Sequence, residues 1–230
     1  MFVISKSYKD EFQCVKSLEI KLTNIIDNNK ELSLKEDPCI HSFFKMRELV
    51  RSVLLNLNLL HSWYIGDESM VNTIQDIIGV APHNQAGLDN TAKTLQFFCK
   101  SSLNLLIQFQ IENLISLFLD KLNIEVPGGF YQKIIRLESE LSLKKGELAN
   151  PLMVPAHLRN SLHSDGRYKG YKGEGFSYLI EEVPFNFIDG EKVDCASIPH
   201  IAHSLENSIR IIKEKVLSHK DLIADQEGDT

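Results

Sequence analysis

Arg159 and His163 stand four residues apart in the stretch HLRNSLHSDGRYKGYKGEG, residues 157–175. On a helix that spacing separates two side chains by about 40° around the axis and about 6 Å along it, so both reach one ligand from one face. Histidine exchanges protons near neutral pH, and arginine clamps phosphate oxygens with a fixed fork of donors. Together they form a minimal kit for cleaving RNA without a metal: one group moves the proton of a 2′-hydroxyl or of the leaving oxygen, the other holds charge on phosphorus. Leu158 and Leu162 supply the neighbouring apolar stripe. The pair is therefore expected at the border of a core, shielded enough to strengthen electrostatics and open enough for a substrate. The same spacing also suits a histidine resting on the helix C-terminal dipole beside an arginine that pairs with a carboxylate.

Directly after Gly166 comes RYKGYKGEG, in which Arg167, Lys169 and Lys172 alternate with Tyr168 and Tyr171. Cations track a phosphate backbone and aromatic rings stack on unpaired bases, so this composition fits single-stranded nucleic acid; it equally fits a soluble loop leading into a hairpin. The formal net charge of the chain is −6, which argues against indiscriminate coating of nucleic acid. Residues 128–172 nevertheless hold eight basic side chains against four acidic ones, a local +4 that leaves −10 elsewhere.

Two further constellations stand out. Asn104, Gln108 and Glu112 form a polar line at four-residue steps along a largely apolar segment. Such a line needs water, a second subunit or a polar pocket, and Glu112 could orient His163, pair with Arg159 or join a structural hydrogen-bond network. His200 and His203, with Glu206 a turn further on, share one side of a helix, but no partner stands at a diagnostic spacing such as H-E-x-x-H, so no metal site is expected. Phosphate-binding, dinucleotide-binding and nucleophile-elbow glycine motifs are missing, which leaves nucleotide-triphosphate, dehydrogenase and serine-hydrolase readings unsupported and no cofactor expected. Cys14, Cys39, Cys99 and Cys195 are far apart and form no C-x-x-C pair. They read as isolated thiols in a reducing, cytoplasmic setting, and the opening MFVISKSYKDEF has no secretory pattern.

The elements that must position these residues are mainly helical. Residues 8–29 place apolar side chains at three- and four-residue steps. A polar linker precedes Asp37, a helix cap followed by Pro38 in the first turn, and helical spacing then holds to Gly66. A short helix near 68–78 leads to the longest one, about 90–122, capped by Asp89 or Asn90. Its apolar run, SLNLLIQFQIENLISLFLDKL, is broken by Asn104, Gln108, Gln110, Glu112 and Asn113, so it reads as a core helix contacted from several sides rather than a membrane span. Helices over about 130–142 and from Pro155 to Gly166 follow. Residues 167–194 then read as an antiparallel hairpin insertion, with strands in FSYLIEE, FNFI and EKVD and a two-residue turn at Asp189-Gly190. A last helix carries Ile201, Leu205, Ile209, Ile212 and Val216 on one side. The expectation is an all-α bundle of one domain over residues 1–220 with that insertion, and an acidic, disordered tail over 221–230.

LRNSLHSDG, set after a long helical bundle and before a short-strand insertion and one last helix, resembles the HEPN superfamily (higher eukaryotes and prokaryotes nucleotide-binding), in particular prokaryotic HEPN-like proteins with an LRNxxHxxG signature. The resemblance in organisation spans roughly residues 38–218. It implies a compact helical bundle, commonly dimeric, with the arginine and histidine helices of two subunits facing a shared cleft. Many such proteins are metal-independent endoribonucleases of toxin–antitoxin, abortive-infection and CRISPR-type defence systems; others bind RNA or only dimerise. By position, Arg159 and His163 match the motif's arginine and histidine, and Asn160 its polar residue. The family's catalytic pattern places four to six residues between arginine and histidine, whereas three intervene here. The implied function is RNA binding with metal-independent endoribonuclease activity, served by a homodimer and countered by an antitoxin or other defence partner; the alternative is a non-catalytic interaction module.

Overall fold

A computed structural model describes residues 4–28, 37–64, 67–69, 72, 76, 79 and 85–218. Among these, six α-helices and one two-stranded sheet follow in the order α1 (Ile4–Asn28), α2 (Pro38–Tyr64), α3 (Gln85–Lys121), α4 (Phe130–Glu140), α5 (Ala149–His163), β1 (Phe176–Ile180), β2 (Val183–Phe187) and α6 (Ile198–Ile211). The architecture is a helical bundle with a small antiparallel hairpin before the last helix. The polar linker before Asp37, most of the 68–78 segment and the 221–230 tail lie outside the described residues.

Apolar spacing decides which faces meet. Val15, Leu18, Leu22, Ile25 and Ile26 of α1 are buried, as are Met46, Val50, Val53, Leu57 and Leu60 of α2. Asp37 caps α2 by accepting the Cys39 N–H on its side chain at 2.8 Å, with Pro38 in the first turn. The stripe Ile201, Leu205, Ile209, Ile212 and Val216 is also buried, and a wider turn over Ile212–Leu217 extends α6 while keeping its last two members inside. One apolar cluster runs from Val15 to Val216 through all six helices and the hairpin, so the described residues share one core.

α3 is the axis of this core. Its 37 residues extend about 55 Å, and it touches α2, α4, α5 and α6. By length and composition it could cross a membrane, yet half of its most apolar window is buried inside the bundle. The helix starts at Gln85, so Asp89 and Asn90 lie within it and neither is the cap expected from their residue types. The Asn90 carbonyl takes the Thr94 hydroxyl at 2.9 Å, a bond made inside a continuing helix.

α5 also starts earlier than expected, at Ala149 and not near Pro155. Glu138, only 4% exposed, reaches over from α4 and accepts the N–H groups of Gly146, Leu148 and Ala149 at 2.9, 2.7 and 3.1 Å. A carboxylate on these donors satisfies the helix start and complements its dipole. Pro155 is then interior and removes the bond to the Pro151 carbonyl; the Ser208 hydroxyl of α6, which donates to the Ser204 carbonyl at 2.9 Å, lies 3.5 Å from that oxygen.

The hairpin pairs Phe176 with Phe187 and Ile180 with Val183, so its turn is Glu181-Glu182, with Glu181 in the left-handed region at φ 53°. Asp189-Gly190 forms a separate tight turn closed by the Glu191 N–H on the Ile188 carbonyl, and it joins no two strands. EKVD contributes a single bridge, Lys192 to Arg167, and not a strand. The local reason is that Asp189 turns its carboxylate onto the Gly170 N–H at 2.7 Å, which ties this segment to the loop before β1.

Candidate functional site

The site is built where α5 crosses α3. α5 ends at His163, and the chain reverses as Asp165 takes φ 56° and the Gly166 N–H returns to the Ser161 carbonyl at 2.9 Å, the bond of a Schellman closure. This closure fixes the last turn, on which Arg159, Asn160 and His163 are carried. Leu158 is fully buried on the core side, Arg159 lies at the border, and Asn160 and His163 are exposed.

Arg159 is positioned from three directions. Its Nη1 donates to Glu112 of α3, its Nε donates to Asn160 Oδ1 at 3.3 Å, and its guanidinium carbon stands 5.8 Å from the centre of the Phe109 ring. The Glu112 partnership joins two partly shielded side chains, a setting in which an ion pair is stronger than on open surface. Glu112 in turn accepts a long bond from Gln108 Nε2 at 3.5 Å, so the upper part of the α3 polar line ends on Arg159.

Arg159 and His163 border one cleft of about 180 Å³, whose other wall is α3 with Phe97, Asn104 and Leu105. Asn104 is fully buried, and neither its Oδ1 nor its Nδ2 has a hydrogen-bond partner among the described residues. Leaving such groups unsatisfied costs about 1–3 kcal/mol each, which makes Asn104 the most conspicuous polar feature of the cleft. Residue types alone place Asn104 in the polar line but do not connect it to Arg159 and His163. Phe97 is a residue that composition and motif do not single out. Its signal was the seven-residue step to Asn104, two helical turns on one face.

The basic loop is organised mainly by the hairpin side. Tyr168 is 3% exposed and packs its ring against His157 and Phe187, so it anchors the loop and offers no open face to a base. Its backbone exchanges bonds with Glu191 and Gly190, and Arg167 donates to the Gly190 carbonyl at 2.9 Å. A Cβ at Gly170 would stand 1.8 Å from the Glu174 carbonyl oxygen, so only glycine lets the loop close there. Beyond it Lys169, Tyr171 and Lys172 are exposed, with the Lys172 ammonium 5.2 Å from the centre of the Tyr171 ring. Tyr171 is thus the aromatic side chain of this loop that remains open to solvent, at 78%.

His157, one turn before Ser161, is the ring on which loop and hairpin meet: Tyr168, Phe176 and Phe187 surround it at centroid distances of 5.2, 4.5 and 5.4 Å. Burial pushes its pKa down to about 4, so it is neutral and structural. The other histidine pair is also engaged locally. His200 shares a hydrogen bond with the Ser197 cap at 2.6 Å, His203 Nε2 lies 3.3 Å from the Ile180 carbonyl, and Glu206 pairs with Lys21. Burial and then the neighbouring His203 lower the His200 pKa. Among the described residues no three His, Cys, Asp or Glu side chains gather as a metal set.

Burial raises the Cys39 thiol to about 12 and the Cys99 thiol to about 11, and all four cysteines are free thiols. None has the depressed pKa of a nucleophile. Compared with protein-family models, curated proteins and solved structures, the chain matches none.

Proposed function

We propose that this protein is a cytoplasmic, HEPN-like RNA-binding protein that acts as a homodimer and cleaves single-stranded RNA without a metal. The observation that carries the reading is the common cleft of Arg159 and His163, with Arg159 held by Glu112 and Asn160 before any ligand arrives. The remaining donors of the guanidinium meet the non-bridging oxygens of a phosphate. His163 takes the proton of the 2′-hydroxyl as that oxygen attacks phosphorus. The bond to the 5′-oxygen breaks, the leaving oxygen takes a proton from water, and the products are a 2′,3′-cyclic phosphate and a 5′-hydroxyl end. His163 then returns its proton to the hydroxide. Lys169, Tyr171, Lys172 and Arg167 guide the strand toward the cleft. Toxin–antitoxin or antiviral defence, with a protein partner that restrains the activity, is the setting that the family resemblance implies.

A second reading has its own observation. Phe98, Phe109 and Leu106 of α3 are 59%, 50% and 37% exposed, an apolar face beside Arg159 that fits a non-catalytic interaction module. Fluorescence anisotropy with a mixed-sequence single-stranded RNA separates the two. The first reading expects binding that weakens as salt rises, and that weakens further in Arg159→Ala and Lys172→Ala. Absence of binding at low salt by folded wild-type protein removes it and leaves the interaction module.

A further inference from the structure

The cleft between α3 and α5 contains a group that the protein itself does not satisfy. Asn104 lines it, is fully buried, and has no partner for either its carbonyl oxygen or its amino group among the described residues. The larger depression beside α4 offers a contrast, because its buried carboxylate, Glu138, is engaged by three backbone N–H groups. A carboxamide with both ends unpartnered by protein suits a ligand that brings an adjacent donor and acceptor.

The edge of a nucleobase presents that pair in one plane, and the match of a carboxamide to adenine is the standard one. Phe97, two turns before Asn104 on the same helix face, lines the same cleft and is 55% exposed, so it offers a ring for stacking. Arg159 lines the same cleft from the α5 side, a cation that can meet a phosphate beside the base. The volume of about 180 Å³ suits one flat heterocycle and not a base pair.

Building on the RNA-binding reading above, we infer that this cleft is a subsite for one unpaired nucleobase, adenine by preference, with Asn104 reading its edge, Phe97 stacking on its face and Arg159 holding its phosphate. Asn104 is then the residue that sets sequence preference. The exposed basic loop supplies affinity without discrimination.

Anisotropy titrations with oligo(A), oligo(C) and oligo(U) of equal length test this. Wild-type protein should bind oligo(A) about tenfold more tightly than the other two. Asn104→Leu should abolish that preference and, by removing two unsatisfied polar atoms, raise Tm by about 2–4 °C. Phe97→Ala, a change at an exposed ring that leaves the core intact, should weaken all three by about tenfold. Lys172→Ala should weaken all three equally and keep the preference. Equal affinity of the wild type for the three RNAs overturns the subsite while leaving RNA binding in place. So does a preference that survives Asn104→Leu, or a folded Phe97→Ala with wild-type affinity. No binding to any of them overturns the RNA-binding reading and the subsite with it.

Discussion

Arg159 and His157 show how two polar residues two apart on α5 are given opposite tasks by what surrounds them. Arg159 faces α3, where Glu112 and the Phe109 ring hold a charged group at the edge of the core. His157 faces the hairpin, where three aromatic rings hold a neutral one. The folded pKa of His157, about 4, lies below the ordinary value near 6.5. Below pH 6.5 the unfolded chain therefore binds a proton that the folded chain refuses, and stability falls as pH drops toward 4, where the loss levels off. The full cost amounts to about 3 kcal/mol. Urea titrations between pH 7 and 4 should show this slope, and His157→Phe should flatten it; an unchanged slope in that variant places the acid sensitivity elsewhere. None of this was legible from LRNSLHSDG. The Arg159–His163 geometry follows from a four-residue step, whereas the burial of His157 and Tyr168 depends on hairpin residues 19 to 30 positions away.

Elements were more legible than the contacts between them. The three-and-four spacing of α1, α2 and α6 predicts most of their buried faces, because a helix reports its environment within its own sequence. Phe12 of α1 is only partly buried, however, and Glu11 and Glu19 are buried beside the stripe. Starts and turns were harder. α5 begins six residues before Pro155 because Glu138 of the preceding helix caps it from a distance, a donor set that no adjacent residue type announces. The hairpin turn sits at Glu181-Glu182, and the more turn-like Asp189-Gly190 is used to tie the basic loop instead. If Glu138 is what starts α5, Glu138→Ala should cost about 3 kcal/mol in chemical denaturation. Glu138→Gln should cost less, since its Oε1 still accepts from Leu148 and Ala149. Equal stability of Glu138→Ala and wild type contradicts the cap.

For the whole molecule the unsettled surface is one side of α3. Phe98, Leu106 and Phe109 are exposed there. A homodimer formed through this face brings two Arg159 side chains toward one groove, since Phe109 already lies against Arg159. Light scattering should then give twice the chain mass of 26.2 kDa, and Phe98→Glu with Phe109→Glu should return the monomer. A wild-type monomer at micromolar concentration removes the shared groove from the account and leaves a site complete within one chain.

The cleavage of single-stranded RNA by chelator-treated protein addresses the Arg159–His163 cleft most directly. Wild type should cut and leave 2′,3′-cyclic phosphate and 5′-hydroxyl ends, while folded His163→Ala and Arg159→Ala lose at least about a hundredfold in rate. The three-residue gap between the two side chains makes this a sharp test, because one further residue would widen their separation around the helix from about 40° to about 140°. Equal cutting by all three proteins, or none by the wild type, contradicts a catalytic role for the pair.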